Sequence, residues 1–223
     1  MKITRFAQSC LRIETKGKRI LIDPGYNLYD DSYPRNEWSD IDVLLVTHKH
    51  PDHCHLDALR EIIKNPKTQF YTTQEVADAY PELNPKIVKA GDVLALGGVT
   101  VEVVKAVHGW AQTSKGGIRI HENVGYVVDD GVCRAYQTSD TVAFDHDLKC
   151  DVIFLPSVSY GKILDGEMAV FAKKTGARLV IPVHYENQKN PIDFERVKRQ
   201  VGIALGAQGL NYQFLRIGEG ITV

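Results

Sequence analysis

Several features that would settle a protein's class at once are missing from this sequence. No apolar run approaches the roughly 20 residues needed to cross a bilayer. Met1-Lys2-Ile3-Thr4 runs straight into a strand pattern, without the charged-then-apolar segment of a secretory leader. The four cysteines, Cys10, Cys54, Cys133 and Cys150, are scattered and form no C-x-x-C pair, which argues against a disulfide framework. Neither sign of charge dominates. With 27 Lys and Arg against 28 Asp and Glu, the formal net charge is −1, and no basic run of five or more residues offers a nucleic-acid or membrane surface. Lys16, Lys18 and Arg19 lie at a turn and read as solvated hairpin charges. These absences leave a protein of the reducing cytoplasm. At 223 residues, with 43% hydrophobic and 25% charged side chains, it is expected to fold as one domain over 1–223.

Histidine, by contrast, is concentrated. Of the eight in the chain, four fall within His48 to His55. The segment Thr47-His48-Lys49-His50-Pro51-Asp52-His53 follows an apolar run from Ile41 to Val46 that reads as a buried strand. Three imidazoles and a carboxylate thus leave the end of a rigid element within six residues, and these are groups that Zn²⁺, Mn²⁺ and Fe²⁺ accept as ligands. A buried histidine cluster without a cation would strand ring nitrogens or charge in mild acid, and both are costly in a core.

The rest of the chain is mainly short strands with a few helices. Lys2 to Phe6, Cys10 to Glu14 and Arg19 to Ile22 read as strands, the third ended by Asp23-Pro24-Gly25, which presents the Asp23 carboxylate at a strand end. Tyr26 to Ser39 and Gly109 to Asn123 lack periodicity and are expected as loops walling the site. Leu56 to Lys64 has helical spacing, and Thr73 is placed to cap a helix from Gln74 to Tyr80. Gln69 to Thr72, Ile87 to Ala90, Val93 to Leu96, Val99 to Val107, Val124 to Val128 and Val132 to Tyr136 read as strands, the last two joined through Asp129-Asp130-Gly131. Val152 to Leu155 and Arg178 to Ile181 are strands stopped by Pro156 and Pro182, with a helix from Gly166 to Thr175 between them. A helix from Ile192 to Gln200 and strands at Gln213 to Ile217 and Ile221 to Val223 close the chain. The order suits a layered α/β or α+β fold.

A two-metal site needs more ligands than the first cluster supplies, and three later residues stand where strands end: His108, Asp140 and His184. Strand ends hold a side chain more tightly than free loops do.

The form H-x-H-x-D-H of His48 to His53, with these downstream residues, resembles the signature of the metallo-β-lactamase-fold hydrolases. Leu21-Ile22-Asp23-Pro24, Glu122-Asn123-Val124-Gly125-Tyr126, Ser139-Asp140-Thr141 and Ile181-Pro182-Val183-His184-Tyr185 resemble one branch of that superfamily, the small metal-dependent hydrolases and ascorbate-phosphate lactonases. The resemblance covers nearly the whole chain and implies a four-layer αββα sandwich. It also implies two divalent cations, Zn²⁺ first with Mn²⁺ or Fe²⁺ as alternatives. His48, His50 and His108 would hold the first, Asp52, His53 and His184 the second, and Asp140 would bridge them. Asp23 would orient a ligand from behind. A metal-bridging hydroxide would attack an ester, lactone, amide or phosphodiester bond of a small, possibly anionic substrate, with Asp52 moving a proton. Ser139 departs from the family, which commonly carries Gly before the bridging Asp.

Trp110, Asn123, Tyr126, Tyr160 and Tyr185 are candidate substrate contacts; as core or rim residues they need no such role. His55 and His121 read as surface residues, His146 as part of a polar helix start, and Cys54 as a buried thiol rather than a nucleophile. Two other readings use the same scaffold. A diiron redox enzyme is disfavoured by His50, where such relatives carry a carboxylate, and a non-catalytic binding protein is disfavoured by the full ligand set. A nuclease would need an additional nucleic-acid domain and a basic stripe. Substrate and oligomeric state are not encoded legibly.

Overall fold

A computed structural model describes residues 1–25, 38–113, 116–159, 162–185 and 194–223. The N-terminal apolar residues alternate, so each strand has two faces to bury or expose. β1 (Lys2–Arg5), β2 (Leu11–Thr15) and β3 (Lys18–Ile22) form an antiparallel meander, with Ile3 opposite Ile13 and Ile13 opposite Ile20. β4 (Val43–Leu45) then joins β3 in parallel. α1 (Leu56–Ile62) leads to β5 (Gln69–Thr72), parallel to β4, and α2 (Gln74–Ala79) leads to the short β6 (Lys86–Ile87).

The second sheet holds β7 (Val93–Ala95) and β8 (Thr100–Lys105). A separate hairpin follows, β9 (Gly109–Thr113) with β10 (Gly116–Ile120). β11 (Val124–Asp129) and β12 (Arg134–Gln137) are antiparallel, and β13 (Val152–Pro156) lies parallel to β12. A small hairpin of β14 (Val158–Ser159) and β15 (Lys162–Ile163) precedes α3 (Gly166–Lys174). β16 (Leu179–Val183) is parallel to β13, and α4 (Phe194–Ala207) precedes β17 (Gly220–Thr222), which returns to pair with β1. The sheet orders are β17-β1-β2-β3-β4-β5-β6 and β16-β13-β12-β11-β8-β7.

Three apolar clusters define four layers. Between the sheets, Ile3, Ile13, Ile20, Ile22, Val43 and Leu45 pack against Val101, Val103, Val124, Tyr126, Phe154 and Ile181. Behind the first sheet, Leu21, Leu44 and Phe70 meet Leu59, Ile62 and Val76 of α1 and α2. Behind the second, Val127, Ile153 and Val180 meet Met168, Phe171, Val197, Val201 and Leu205 of α3 and α4. Each fully buried aliphatic side chain contributes about 1.5–3 kcal/mol of transfer free energy. This is the αββα sandwich expected from the resemblance.

Some expectations fail locally. Gly109 to Asn123 is mostly a hairpin, not a loop. It pairs only with itself, so it needs no apolar face to match a third strand, and its sequence lacks one. Gln213 to Ile217 forms no strand; the backbone there touches β16 through an isolated Val180–Tyr212 bridge and a Gln213-to-Val180 hydrogen bond. Thr73 occupies the N-cap position of α2, but its side chain makes no capping bond. The region around His146 is not helical. The ring hydrogen-bonds the Phe171 carbonyl at 3.2 Å and accepts the Leu148 N–H at 3.2 Å, pinning the 141–150 connection to α3. Most of the Tyr26 to Ser39 stretch lies outside the described residues.

Candidate metal centre

Strand direction decides where the site forms. β3, β4 and β5 are parallel, as are β12, β13 and β16, so the ends of each set share one edge of its sheet. β8 and β12 are both antiparallel to β11, so β8 also points toward that edge. Asp23 follows β3, His48 to His53 follow β4, His108 follows β8, Asp140 follows β12 and His184 follows β16. Ligands to open parallel sheets collect at such carboxyl ends.

Cross-sheet bonds bring the two edges into register. The Tyr126 hydroxyl donates to the Val46 carbonyl at 2.9 Å, Gln137 Nε2 donates to the Ser9 carbonyl at 2.8 Å, and the His184 N–H donates to the Gln8 carbonyl at 3.0 Å. Val142 N–H donates to the Val107 carbonyl and the Thr141 hydroxyl accepts from Val107 N–H, each at 2.9 Å, so the Asp140 turn is clamped to the strand that delivers His108.

The seven nominated side chains meet there. His108 Nε2 lies 3.1 Å from His50 Nδ1, and the His48 and His108 rings are 4.6 Å apart. His184 Nε2 lies 3.1 Å from Asp52 Oδ2 and 3.3 Å from Asp140 Oδ2. His53 Nε2 lies 3.3 Å from Asp140 Oδ1, and His108 Nε2 lies 4.0 Å from Asp140 Oδ2. His48, His50 and His108 form one group whose ligand atoms lie within 4.8 Å of one another. Asp52, His53 and His184 form another, and His48, His53 and Asp140 a third that links them.

The donor set fits a cation. His48 Nε2 is buried without a hydrogen bond, and His53 Nε2 and Asp140 Oδ1, also buried, face each other at 3.3 Å. Such groups cost free energy unless something else coordinates them. The opposite edge of each ring is fixed. Asp23, fully buried, accepts His53 Nδ1–H at 2.8 Å, Thr47 N–H at 2.8 Å and the Thr47 hydroxyl at 2.9 Å. His184 Nδ1–H donates to the Val158 carbonyl. Each contact holds its ring with Nε2 aimed inward, where a cation would take the place of any proton there.

The electrostatics divide the site. Burial, followed by the neighbouring imidazoles, holds His48 well below the usual imidazole range. Burial also lowers His50 despite Asp52, and lowers His108 to about 4 despite Asp140. His53 and His184 are raised: burial opposes their charge, but Asp140 with Asp23 outweighs it at His53, and Asp140 with Asp52 at His184. The same pairs hold Asp52 and Asp140 ionised against the pull of burial. The Cys54 thiol is raised, by burial and then Asp23, which leaves it a poor nucleophile.

The site also rests on backbone geometry and close approaches that no sequence pattern marks. Asp23, Ser139, His184 and Gln8 all have left-handed backbones, with φ of 54°, 62°, 60° and 54°. Non-glycine residues in that region cluster where function holds them. Gly25 passes so close to the ligand loop that a Cβ would lie 1.8 Å from the Asp52 carbonyl oxygen. Lys49, between two histidines of the cluster, reaches Glu75 at 2.7 Å. Glu75 in turn accepts the His121 and Glu122 N–H groups at 3.1 Å, where the β9–β10 hairpin returns to β11.

The proposed substrate contacts fare differently. Tyr126 is fully buried between the sheets, with its hydroxyl consumed at Val46, and Tyr185 is buried under the Arg5 guanidinium with its hydroxyl on the Leu215 carbonyl. Both hydroxyls are thus spent on backbone carbonyls inside the protein. Asn123 spends both ends of its amide on the protein. Tyr160 lies outside the described residues, and only the backbone of Trp110, in β9, is described. His55 begins α1, its N–H on the Pro24 carbonyl, and His121 is exposed. Among the described residues, no helix is long and apolar enough to cross a membrane.

The chain matches the Beta-lactamase superfamily domain over residues 2–184. It is 33% identical over 197 residues to a UPF0173 metal-dependent hydrolase of Thermococcus onnurineus, covering 83% of this chain and 85% of that one. Its fold superposes on a putative metal-dependent hydrolase of Parabacteroides distasonis with TM-score 0.74, at 23% identity and with 96% and 92% of the two chains covered. The fold also occurs in CmlA, a diiron beta-hydroxylase of Streptomyces venezuelae, with TM-score 0.75 at 13% identity, where this chain spans 54% of the other; architecture by itself therefore does not select the reaction. With the strand-end cluster of histidines and aspartates, these likenesses identify the chain as a member of the metallo-β-lactamase-fold family of metal-dependent hydrolases.

Proposed function

We propose that this protein is a binuclear metallohydrolase, most simply a zinc enzyme with Mn²⁺ or Fe²⁺ as alternatives, that cleaves an ester, lactone, amide or phosphodiester bond of a small anionic molecule. The observation that carries the reading is the pair of ligand groups, His48/His50/His108 and Asp52/His53/His184, with Asp140 reaching both. Two divalent cations held there would supply a water of lowered pKa and a Lewis acid for the substrate oxygen.

The protein's own part is orientation and proton handling. Asp23 and the Val158 carbonyl fix the His53 and His184 rings, so their inward nitrogens need no reorganisation. Asp52, held ionised by its hydrogen bond to His184, is the carboxylate positioned to take a proton from the attacking water and return it to the leaving group. No serine or cysteine nucleophile is required, and Cys54 is too basic a thiol to serve.

The all-nitrogen group of His48, His50 and His108 argues against the diiron redox reading, and a full set of inward-facing ligand side chains argues against a binding protein without chemistry. Elemental analysis of purified protein, followed by phosphodiester, lactone, amide and ester panels with each metal restored, tests the assignment. Two equivalents of metal and metal-dependent turnover are expected; tight ligand binding with no hydrolysis of any class would overturn it. In Asp52→Asn, kcat should fall far more than KM rises, and wild-type turnover would remove Asp52 from the proton path.

A further inference from the structure

Ser139 carries a backbone cost that a glycine would avoid. It has φ of 62°, is 1% exposed, and immediately precedes Asp140. Its hydroxyl explains why a side chain stands there, and proton accounting fixes each bond. Asn123 Nδ2 lies 3.1 Å from the Asp140 carbonyl, which can only accept, so that end of the amide is the donor. The other end, Oδ1, lies 2.6 Å from Ser139 Oγ and must take the hydroxyl proton. Ser139 Oγ therefore turns only lone pairs toward His48 Nδ1, 3.3 Å away.

Thr47 repeats the arrangement from the other side. Its proton goes to Asp23 Oδ2, so its oxygen can only accept from His48 Nδ1, at 3.0 Å. Facing two acceptors and no donor, Nδ1 must hold the ring proton. Nε2 is then the bare nitrogen, and it is the buried atom without a hydrogen bond.

We infer that Ser139 and Asn123 form a positioning unit that fixes the tautomer of His48 and registers it against Asp140, across the gap between the two sheets. Thr47 and Asp23 hold His48 from the first sheet alone. The Ser139–Asn123 link hydrogen-bonds it to the second, because Asn123 precedes β11 and Ser139 follows β12. The inference rests on the metal-centre reading above, since the unit aligns two of its proposed ligands.

The test compares Ser139→Gly, Ser139→Ala, Asn123→Ala and the double variant Ser139→Gly/Asn123→Ala. Zinc dissociation constants come from competition with a chromophoric chelator, the electronic spectrum from Co²⁺-loaded protein, and melting temperatures from metal-stripped protein. Ser139→Gly relieves the left-handed backbone and should melt at or above wild type, whereas Ser139→Ala keeps the cost and should melt lower. Both should bind zinc about 10- to 100-fold more weakly, as for other residues that orient metal ligands, and shift the Co²⁺ spectrum. The double variant should lose no more affinity than its worse single, because the two side chains act as one unit. A Ser139→Gly protein that holds zinc as tightly as wild type overturns the inference, as do additive losses in the double variant. Failure of wild-type protein to bind any divalent ion would instead sink the metal-centre reading, and this one with it.

Discussion

The two halves of the centre are built from opposite electrostatics. In the half of His48, His50 and His108, burial holds the imidazoles neutral. In the half of Asp52, His53 and His184, carboxylates overcome burial and raise the pKa of the imidazoles. The first half offers a cation neutral imidazoles, which need lose no charge to bind it. In the second, protons are held more tightly, so a cation there competes with them. The halves also differ in support: the second hangs directly on Asp23, with Gly25 against the Asp52 backbone, and the first on Ser139 and on Thr47, which Asp23 holds in turn. The contrast predicts unequal metal affinities from ligands of similar type.

The sharpest way to separate the halves is Gly25→Ala. An added Cβ meets backbone, the Asp52 carbonyl carbon and oxygen at 2.2 and 1.8 Å, so the ligand loop must move. Overpacking of this kind costs about 1–3 kcal/mol or more, and metal content should fall from two equivalents to one, read by elemental analysis. Two retained equivalents would mean that the halves do not depend on separate supports. Asp23→Asn is milder. It weakens the acceptor for His53 Nδ1–H and the carboxylate clasp on Thr47, and should cost about 10- to 100-fold in affinity for the more weakly held metal. An equal loss at both sites, measured by chelator competition, would break the comparison.

Acidity gives the smallest and most graded test. His53 and His184 have raised pKa values in the metal-free protein, so affinity in their half should climb as pH rises through those values, with proton release seen by calorimetry in buffers of different ionisation enthalpy. In the other half affinity should be flat near neutrality and fall only as pH drops toward the about 4 of His108. The same signs govern stability of the metal-free fold. The neutral trio contributes above the unfolded imidazole pKa of about 6.5 and is lost as pH falls. The protonated pair contributes below that value and is lost as pH rises. Equal proton release for both metals would refute the division.

Much of this centre was legible in the sequence because strand ends are legible. A short apolar run followed by a polar residue, as at Val46–Thr47–His48 or Val183–His184, marks both the element and the place where it releases a side chain. Asp23 was readable for the same reason, before a proline that cannot continue the ladder. The buried tyrosines show the limit. Tyr126 shares its parity with Val124 and Val128, so the alternation of β11 already put it on the inner face; its presence in a family-like segment obscured that. Tyr185 follows a left-handed residue, where alternation gives no guidance. The roles of Gly25 and Ser139 depend on what another part of the chain brings against them, and no local pattern carries that. The β9–β10 hairpin escaped because a ribbon paired only with itself has no buried face to imprint a period.

Because the first sheet delivers His48, His50, Asp52 and His53 while the second delivers His108, Asp140 and His184, any opening of the sandwich at this edge pulls the cluster apart. A bound cation would then act as a rivet through both plates, adding stability by mass action in proportion to its concentration over its dissociation constant. Chelators should therefore loosen this protein as a whole, and its lifetime in a metal-starved cell would be set by the same seven side chains proposed to set its chemistry.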